Sequence, residues 1–381
     1  MPLPFAALAG WMLIIGLIAA LTACGERHAT EPGARQSSAS DAKALNLFIW
    51  PDYLAPETLA DFERKTGIRT KVLVFDTNET LETKLLAGNS GFDVVFPSAP
   101  YFERQIAAGV YHEIHPEKMP NWRNLDPRLM AMVAHNDGGN RHGAIYLSGT
   151  EGIGYNEDAV RKALPDAPLD SWKLVFDPRF ASKLSACGIN ILDNPAGVVR
   201  LVLAYLGRDP NAPTAKDLTD TEAVLLSVRP FVRTVDSFAY TQALANGDIC
   251  IAVAYNGDAA QARARAAESN NGVKIAFIIP KEGSIMWFDM MAIPKDAPHL
   301  ENAYAFMNYV MEAGVMARIS NFTRYANANL ASTSFVDASI ANDPMIYPTA
   351  EQTSRLFVQQ ADPIERARVL TRIWQRFKTG Q

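Results

Sequence analysis

Three stretches of this chain set an aromatic ring close to an aspartate where an apolar run gives out or within one. "LNLFIWPDY" ends on Trp50, Asp52 and Tyr53, "IAVAYNGDAA" carries Tyr255 and Asp258, and "SIMWFDMMA" holds Trp287 and Asp289. Trp287 and Asp289 are two apart, so on a strand both side chains leave the same face. A further aromatic, Tyr325, stands in the polar stretch "NFTRYANAN". Rings beside carboxylates suit an organic cation. Ring faces attract an ammonium and pack on methylenes, while the carboxylates take its charge-assisted hydrogen bonds. The first cluster has a bland role open to it as well. Trp50 and Tyr53 would be core aromatics and Asp52 the cap of the helix that follows.

The elements that must position these residues alternate. "LNLFIW" reads as a strand; Pro56 then opens a helix with Leu59 and Phe62 on one face and Gly67 as its stop. "TKVLVF" and "FDVVF" are the next strands. Between them lies a helix capped by Asn78, with Leu81 and Leu85 four apart and Gly88 at its end; "YFERQIAAG" is the next helix. The same grammar returns after "AIYLSGTEGIGYNEDAV". Asn156 to Ala163 reads as helix, "GINILD" as strand, "AGVVRLVLAYLG" as helix, "DICIAVAY" as strand and "GDAAQARARAAES" as helix. "VKIAFIIP" and "SIMWFDMMAIP" are strands, and "LENAYAFMNYVME" is an amphipathic helix. The closing helix, "PIERARVLTRIWQRFKTG", puts Val369, Leu370, Ile373, Trp374 and Phe377 on one stripe with its arginines opposite, as a solvated face.

Strand–helix alternation with continuous apolar strands predicts an α/β protein whose parallel sheets are covered on both faces. Two such units fit a length of 381 residues. Ligands of open α/β sheets sit beyond the carboxyl ends of the strands. Trp50, Asp52 and Tyr53 fall just there, where a cleft between two units would open.

The composition excludes several classes. A net charge of -5 and no basic run argue against nucleic acid. His112 and His115 in "YHEIHPE" lack the spacing and the third ligand of a metal site and read as a surface loop. Gly152 to Gly154 lacks the third glycine of a dinucleotide fingerprint and reads as a turn. With no Gly-x-Ser-x-Gly elbow and no P-loop, neither an enzyme nor a cofactor is expected.

The N-terminus reads as an address. Met1 to Ala23 is uncharged and largely apolar, and Leu21, Thr22 and Ala23 lead into Cys24 as in a bacterial lipobox. The expectation is a signal peptide over residues 1–23, acylation of Cys24 and a polar tether over residues 24–44, which holds the protein outside the cytoplasm. An uncleaved membrane anchor is the other reading of that segment, and Met1 to Ala9 lacks the usual Lys or Arg. Cys187 and Cys250 remain, to pair in an oxidising compartment or to stay as buried thiols.

Six segments together resemble the substrate-binding proteins of polyamine ABC transporters, nearest the putrescine-binding branch. They are "FIWPDYLAPETLADFERKTG", "FDTNETLETKLLAGNSGFDVVFPSA", "TEGIGYN", "LANGDICIA", "IPKEGSIMWFDMMAIP" and "YANANLAS". The resemblance runs from about Leu45 to the end of the chain. It implies a type II periplasmic binding protein fold, two lobes closing about a hinge. Lobe 1 would be residues 45–148 plus 279–322 and lobe 2 residues 149–278 plus 323–381, with crossings near Leu147 to Gly149 and Ile278 to Pro280. The implied ligand contacts are Trp50, Asp52, Tyr53, Ser98, Tyr101, Tyr255, Asp258, Trp287, Asp289 and Tyr325. The family's cysteine pair falls on Cys187 and Cys250. The implied partners are a polyamine, the permease subunits of an ABC importer in the inner membrane, and the membrane itself through Cys24, with the protein a monomer. A sensor of the same fold that presents ligand to a receptor is the alternative. Three departures bear on the ligand: Pro51 replaces a serine, Tyr255 a tryptophan, and Ala196 and Gly197 stand where a glutamate is expected.

Overall fold

The computed structural model describes residues 42–380. The apolar N-terminal segment, Cys24 and nearly all of the tether lie outside the described residues. Among the described residues, no helix is long and apolar enough to cross a membrane.

The described strands are β1 (Ala44–Ile49), β2 (Arg69–Val74), β3 (Val94–Val95), β4 (Gly143–Asn156), β5 (Ile189–Ile191), β6 (Thr234–Val235), β7 (Ile251–Tyr255), β8 (Ile275–Ile278), β9 (Ser284–Ala292), β10 (Ala326–Asn327) and β11 (Leu356–Val358). β1 pairs in parallel with β2 and with β3, as strand–helix–strand units dictate. The helix between β1 and β2 runs Thr58–Thr66, buries Phe62 and ends on Gly67 at φ 71°. Pro56 lies in the turn before that helix rather than at its first position. β2 is an edge strand that leaves Val72, Leu73 and Val74 exposed, so this sheet is not covered to its edge.

The sheets are mixed rather than parallel. β4 is the reason: 14 residues long and buried throughout, it serves both halves of the molecule. Gly143 to Thr150 pair antiparallel with β9, whereas Glu151 to Tyr155 pair antiparallel with β7 and Ile153 to Asn156 with β8. The Gly152–Gly154 segment, expected as a turn, therefore lies inside this strand. A Cβ at Gly152 would stand 2.3 Å from the Ile278 carbonyl oxygen, so the glycine permits a close strand approach.

Two hydrophobic cores result. One runs from Leu45 to Leu147 and takes in Met286 to Ile293 and part of the Ala313–Thr323 helix. The other runs from Ile153 to Ile285 and takes in Leu370, Ile373, Trp374 and Phe377 of the Ile364–Thr379 helix. The cores change over between Leu147 and Ile153 on β4 and between Ile285 and Met286 on β9. The second changeover lies beyond Ile278–Pro280, because Ile278 ends β8 inside the second core and β9 is the strand that crosses. A third, smaller cluster joins Ala259 and Ala260 to Ala317, Ala326, Val336 and Ile340, next to the crossings.

Cys187 and Cys250 form a disulfide, with Cα atoms 5.4 Å apart across 63 residues of sequence. It lies in the second core, where the Cys250 N–H donates to the Gly188 carbonyl at 3.0 Å. Closing a loop of that length is worth about 4 kcal/mol in the chain-entropy picture. The double replacement Cys187→Ser/Cys250→Ser should lower denaturant stability by up to about that much. A loss below about 0.5 kcal/mol, the scale of an ordinary surface change, would contradict the assignment of a stabilising role.

Candidate binding site

Residues paired across an antiparallel ladder share a face. Asp289 pairs with Leu147, Trp287 with Gly149, and Tyr255 with Glu151. One continuous face therefore carries Asp289, Trp287, Glu151 and Tyr255 from one core to the other. Gly149 makes room for the indole: a Cβ there would stand 2.3 Å from Trp287 Cζ2.

Asp289 is 6% exposed and accepts two hydroxyl hydrogen bonds, one on each oxygen. Ser98 Oγ donates at 2.6 Å and Tyr53 Oη at 2.7 Å. Ser98 precedes the Ala99–Ala107 helix and is held by Asn78. Its N–H donates to Asn78 Oδ1 at 3.0 Å, and Asn78 Nδ2 donates to its Oγ at 3.1 Å. Tyr53 is fixed from behind by the Tyr146 hydroxyl, which donates to the Tyr53 carbonyl. Burial pushes the Asp289 pKa up to about 6, although both hydroxyls favour the carboxylate.

Asp258 lies in the first turn of the Asn256–Ser269 helix and is half-buried. Tyr240 Oη and Tyr325 Oη donate to its two oxygens, each at 2.8 Å. Tyr240 Oη in turn accepts the Tyr255 N–H at 3.0 Å. Loss of water raises the Asp258 pKa, opposed by the two tyrosine bonds. Tyr325, which the resemblance assigned to lobe 2, packs into the first core, so its bond to Asp258 joins the two cores. A Cβ at Gly257 would sit 2.3 Å from the Tyr325 ring, so a side chain there would break this contact.

The rings form a wall along these carboxylates. Tyr53 to Tyr325 is 6.2 Å between centroids, Tyr325 to Trp287 4.9 Å and Trp287 to Tyr255 6.3 Å, all edge to face. The Trp287 Nε1 donor on this wall is buried with no described partner.

Seven of the ten residues expected at the site thus come together: Tyr53, Ser98, Tyr255, Asp258, Trp287, Asp289 and Tyr325. Three do not join them. Trp50 packs on Phe75 at 4.4 Å and donates its Nε1–H to the Phe96 carbonyl at 3.0 Å, closer to the core-aromatic reading. Asp52 is exposed at φ 53°, and the Thr58–Thr66 helix has no side-chain cap, so Asp52 neither caps it nor reaches the cluster. Tyr101 bonds Glu79 and lies under Arg104 at 4.7 Å. Sequence reasoning missed Asn78 as the clamp on Ser98, Tyr240, Asn194 and Glu151. A charged residue in the middle of a buried strand is the signal that marks Glu151. Tyr240 carries no such signal.

A family model described as bacterial extracellular solute-binding protein matches residues 57–348. The chain belongs to that family. It is 45% identical over 345 residues to the putrescine-binding periplasmic protein PotF of Escherichia coli, covering 90% of this chain and 93% of that one. It is 44% identical over 349 residues to the putrescine-binding periplasmic protein SpuD of Pseudomonas aeruginosa, covering 91% and 95%. Among solved structures it is similar to the spermidine/putrescine ABC transporter substrate-binding protein PotD of Streptococcus pneumoniae. There the TM-score is 0.76 at 24% identity, over 89% of this chain and 99% of that one, a likeness of fold. The architecture is thus the two-lobed α/β fold of periplasmic solute-binding proteins, as the resemblance implied.

The raised Asp289 pKa makes a prediction for the ligand-free protein. The folded value of about 6 lies above the ordinary carboxylate value, so the folded chain holds the proton more tightly than the unfolded chain does. Its contribution is complete at low pH and is lost as pH rises through about 6. Asp289→Asn cannot ionise, so its stability relative to wild type should grow between about pH 4 and pH 7, by up to ~3 kcal/mol. Denaturant melts at both pH values measure this, and an equal difference at the two would contradict it.

Proposed function

We propose that this protein captures a polyamine of the putrescine type between its lobes and delivers it, as a monomer, to the permease of an ABC importer. The observation that carries this reading is two aspartates, Asp289 and Asp258, bonded to the hydroxyls of Tyr53 and Tyr325 in one run of edge-to-face rings. Asp289 and Asp258 accept only hydroxyl bonds, and neither forms an ion pair among the described residues. Carboxylates removed from water are costly unless a cation meets them. The rings between them suit methylenes and attract ammonium. The names of the relatives support the same ligand class and a role in transport.

In this reading Asp289, with Tyr53 and Ser98, holds one ammonium. Asp258 and Tyr325 draw the second lobe onto the ligand, and Trp287 and Tyr255 pack its methylenes. Trp50, Asp52 and Tyr101 contribute little. Removing one hydrogen bond to a charged group costs about 1.5–3 kcal/mol, or roughly ten- to a hundredfold in affinity. Titration calorimetry with putrescine, cadaverine, agmatine, spermidine and spermine should show that loss for Asp289→Asn. Trp287→Ala should weaken the longer amines most. Unchanged affinity of a folded Asp289→Asn for every amine would overturn the ligand class.

We also propose that Cys24 carries the lipid that tethers the protein outside the cytoplasm. The support is the "LTAC" sequence and the polar stretch after it. Labelled palmitate should enter the wild type and be absent from Cys24→Ser; an unlipidated wild type in cells would refute this.

A further inference from the structure

Glu151 is 2% exposed at the centre of β4, on the face shared with Trp287 and Asp289. Its Oε1 accepts one hydrogen bond, from Asn194 Nδ2 at 3.2 Å, and its buried Oε2 has no partner among the described residues. Arg200 is the cation expected to neutralise it, but all five guanidinium donors are used elsewhere. They go to Asn211 Oδ1, to the carbonyls of Ala196 and Gln360, and to both oxygens of Asp362, at 2.9–3.3 Å. The Glu151 carboxylate is therefore stranded without a counterion of its own. The groups that face it are Arg200 on the Pro195–Tyr205 helix, Asn194 at that helix's N-cap, and Tyr255 on β7. Burial pushes its pKa up to about 8, against the pull of Arg200 and Asn194.

The missing side chain opposite is as informative. A Cβ at Gly197 would stand 2.9 Å from Glu151 Oε1 and 2.4 Å from Asn194 Nδ2. The bare helix turn leaves room for the carboxylate that β4 sends into the same space. We propose that Glu151 receives the second ammonium of a linear diamine, a carboxylate delivered from the strand where the helix at Ala196 and Gly197 has none. This rests on the reading of the cleft as an amine site.

The spacing agrees. The register positions of Asp289 and Glu151 on β4 are four residues apart, about 13 Å of strand. Two charged hydrogen bonds of about 2.8 Å each leave about 7 Å between nitrogens, the reach of a four- or five-carbon diamine. Asp289 then anchors one end, Trp287 underlies the chain, and Glu151 measures its length. The diamine preference thus survives the loss of the helix glutamate, and a side chain added at Gly197 would collide with the group that replaced it.

Titration calorimetry on the whole mature protein separates the outcomes, with 1,4-diaminobutane and butylamine as probes. Glu151→Gln keeps the shape and removes the charge. It should bind the diamine at least tenfold more weakly while changing butylamine binding less than threefold, and Glu151→Asp should fall between. A purely structural role would weaken both ligands alike and would overturn the proposal. So would a Glu151→Gln protein that binds the diamine as wild type does. A wild type that binds neither amine removes the amine-site reading as well, which distinguishes the two failures.

Discussion

Carboxylates held away from water are the constraint on which the rest of this structure depends. Asp289, Asp258 and Glu151 all sit where ionisation is made harder by burial. Hydroxyl and amide donors satisfy part of their hydrogen-bonding capacity without supplying charge. Such a site is poised rather than content. It is stabilised by protons when empty and by a cation when filled.

Two strands make this arrangement available. β4 and β9 run antiparallel through the changeover between the cores, so residues from both lobes appear on one face in fixed register. Asp258 stands on a helix that packs into the second core, and it meets Tyr325 of the first core. A ligand that adds contacts to both lobes would favour the state in which that bond is made, by the difference in its affinity for the two states. Glycines at Gly149 and Gly257 are part of the design, since a Cβ at either would occupy the space of a ring in the wall.

Much of this was legible in the sequence, and for a clear reason. Trp287 and Asp289 sit two apart on an apolar strand, so their shared face follows from the pleat alone. The stripe of the last helix is legible for the same kind of reason, its period being local. What escaped depends on contacts between distant segments. The antiparallel crossing of β4 and β9 has no local signature, so the sheets were expected to be parallel. Gly152 and Gly154 looked like a turn because their packing partners, Ile278 and Phe277 for the first and Ala254 for the second, are remote in sequence. Asp52 lay beside the right residues but is exposed, in a turn at φ 53°. Glu151 was hidden by a motif read for its glycines, although its charge in a buried run was visible.

The central claim is that a cation meets carboxylates that are partly protonated in the empty site. Proton release on ligand binding measures it directly, by titrating 1,4-diaminobutane into the protein in buffers of different ionisation enthalpy. With folded pKa values of about 8 for Glu151 and about 6 for Asp289, binding near neutral pH should release close to one proton, mostly from Glu151. Affinity should rise as pH is raised from about 6 to about 8. Binding without proton release, at an affinity flat across that range, would contradict the account.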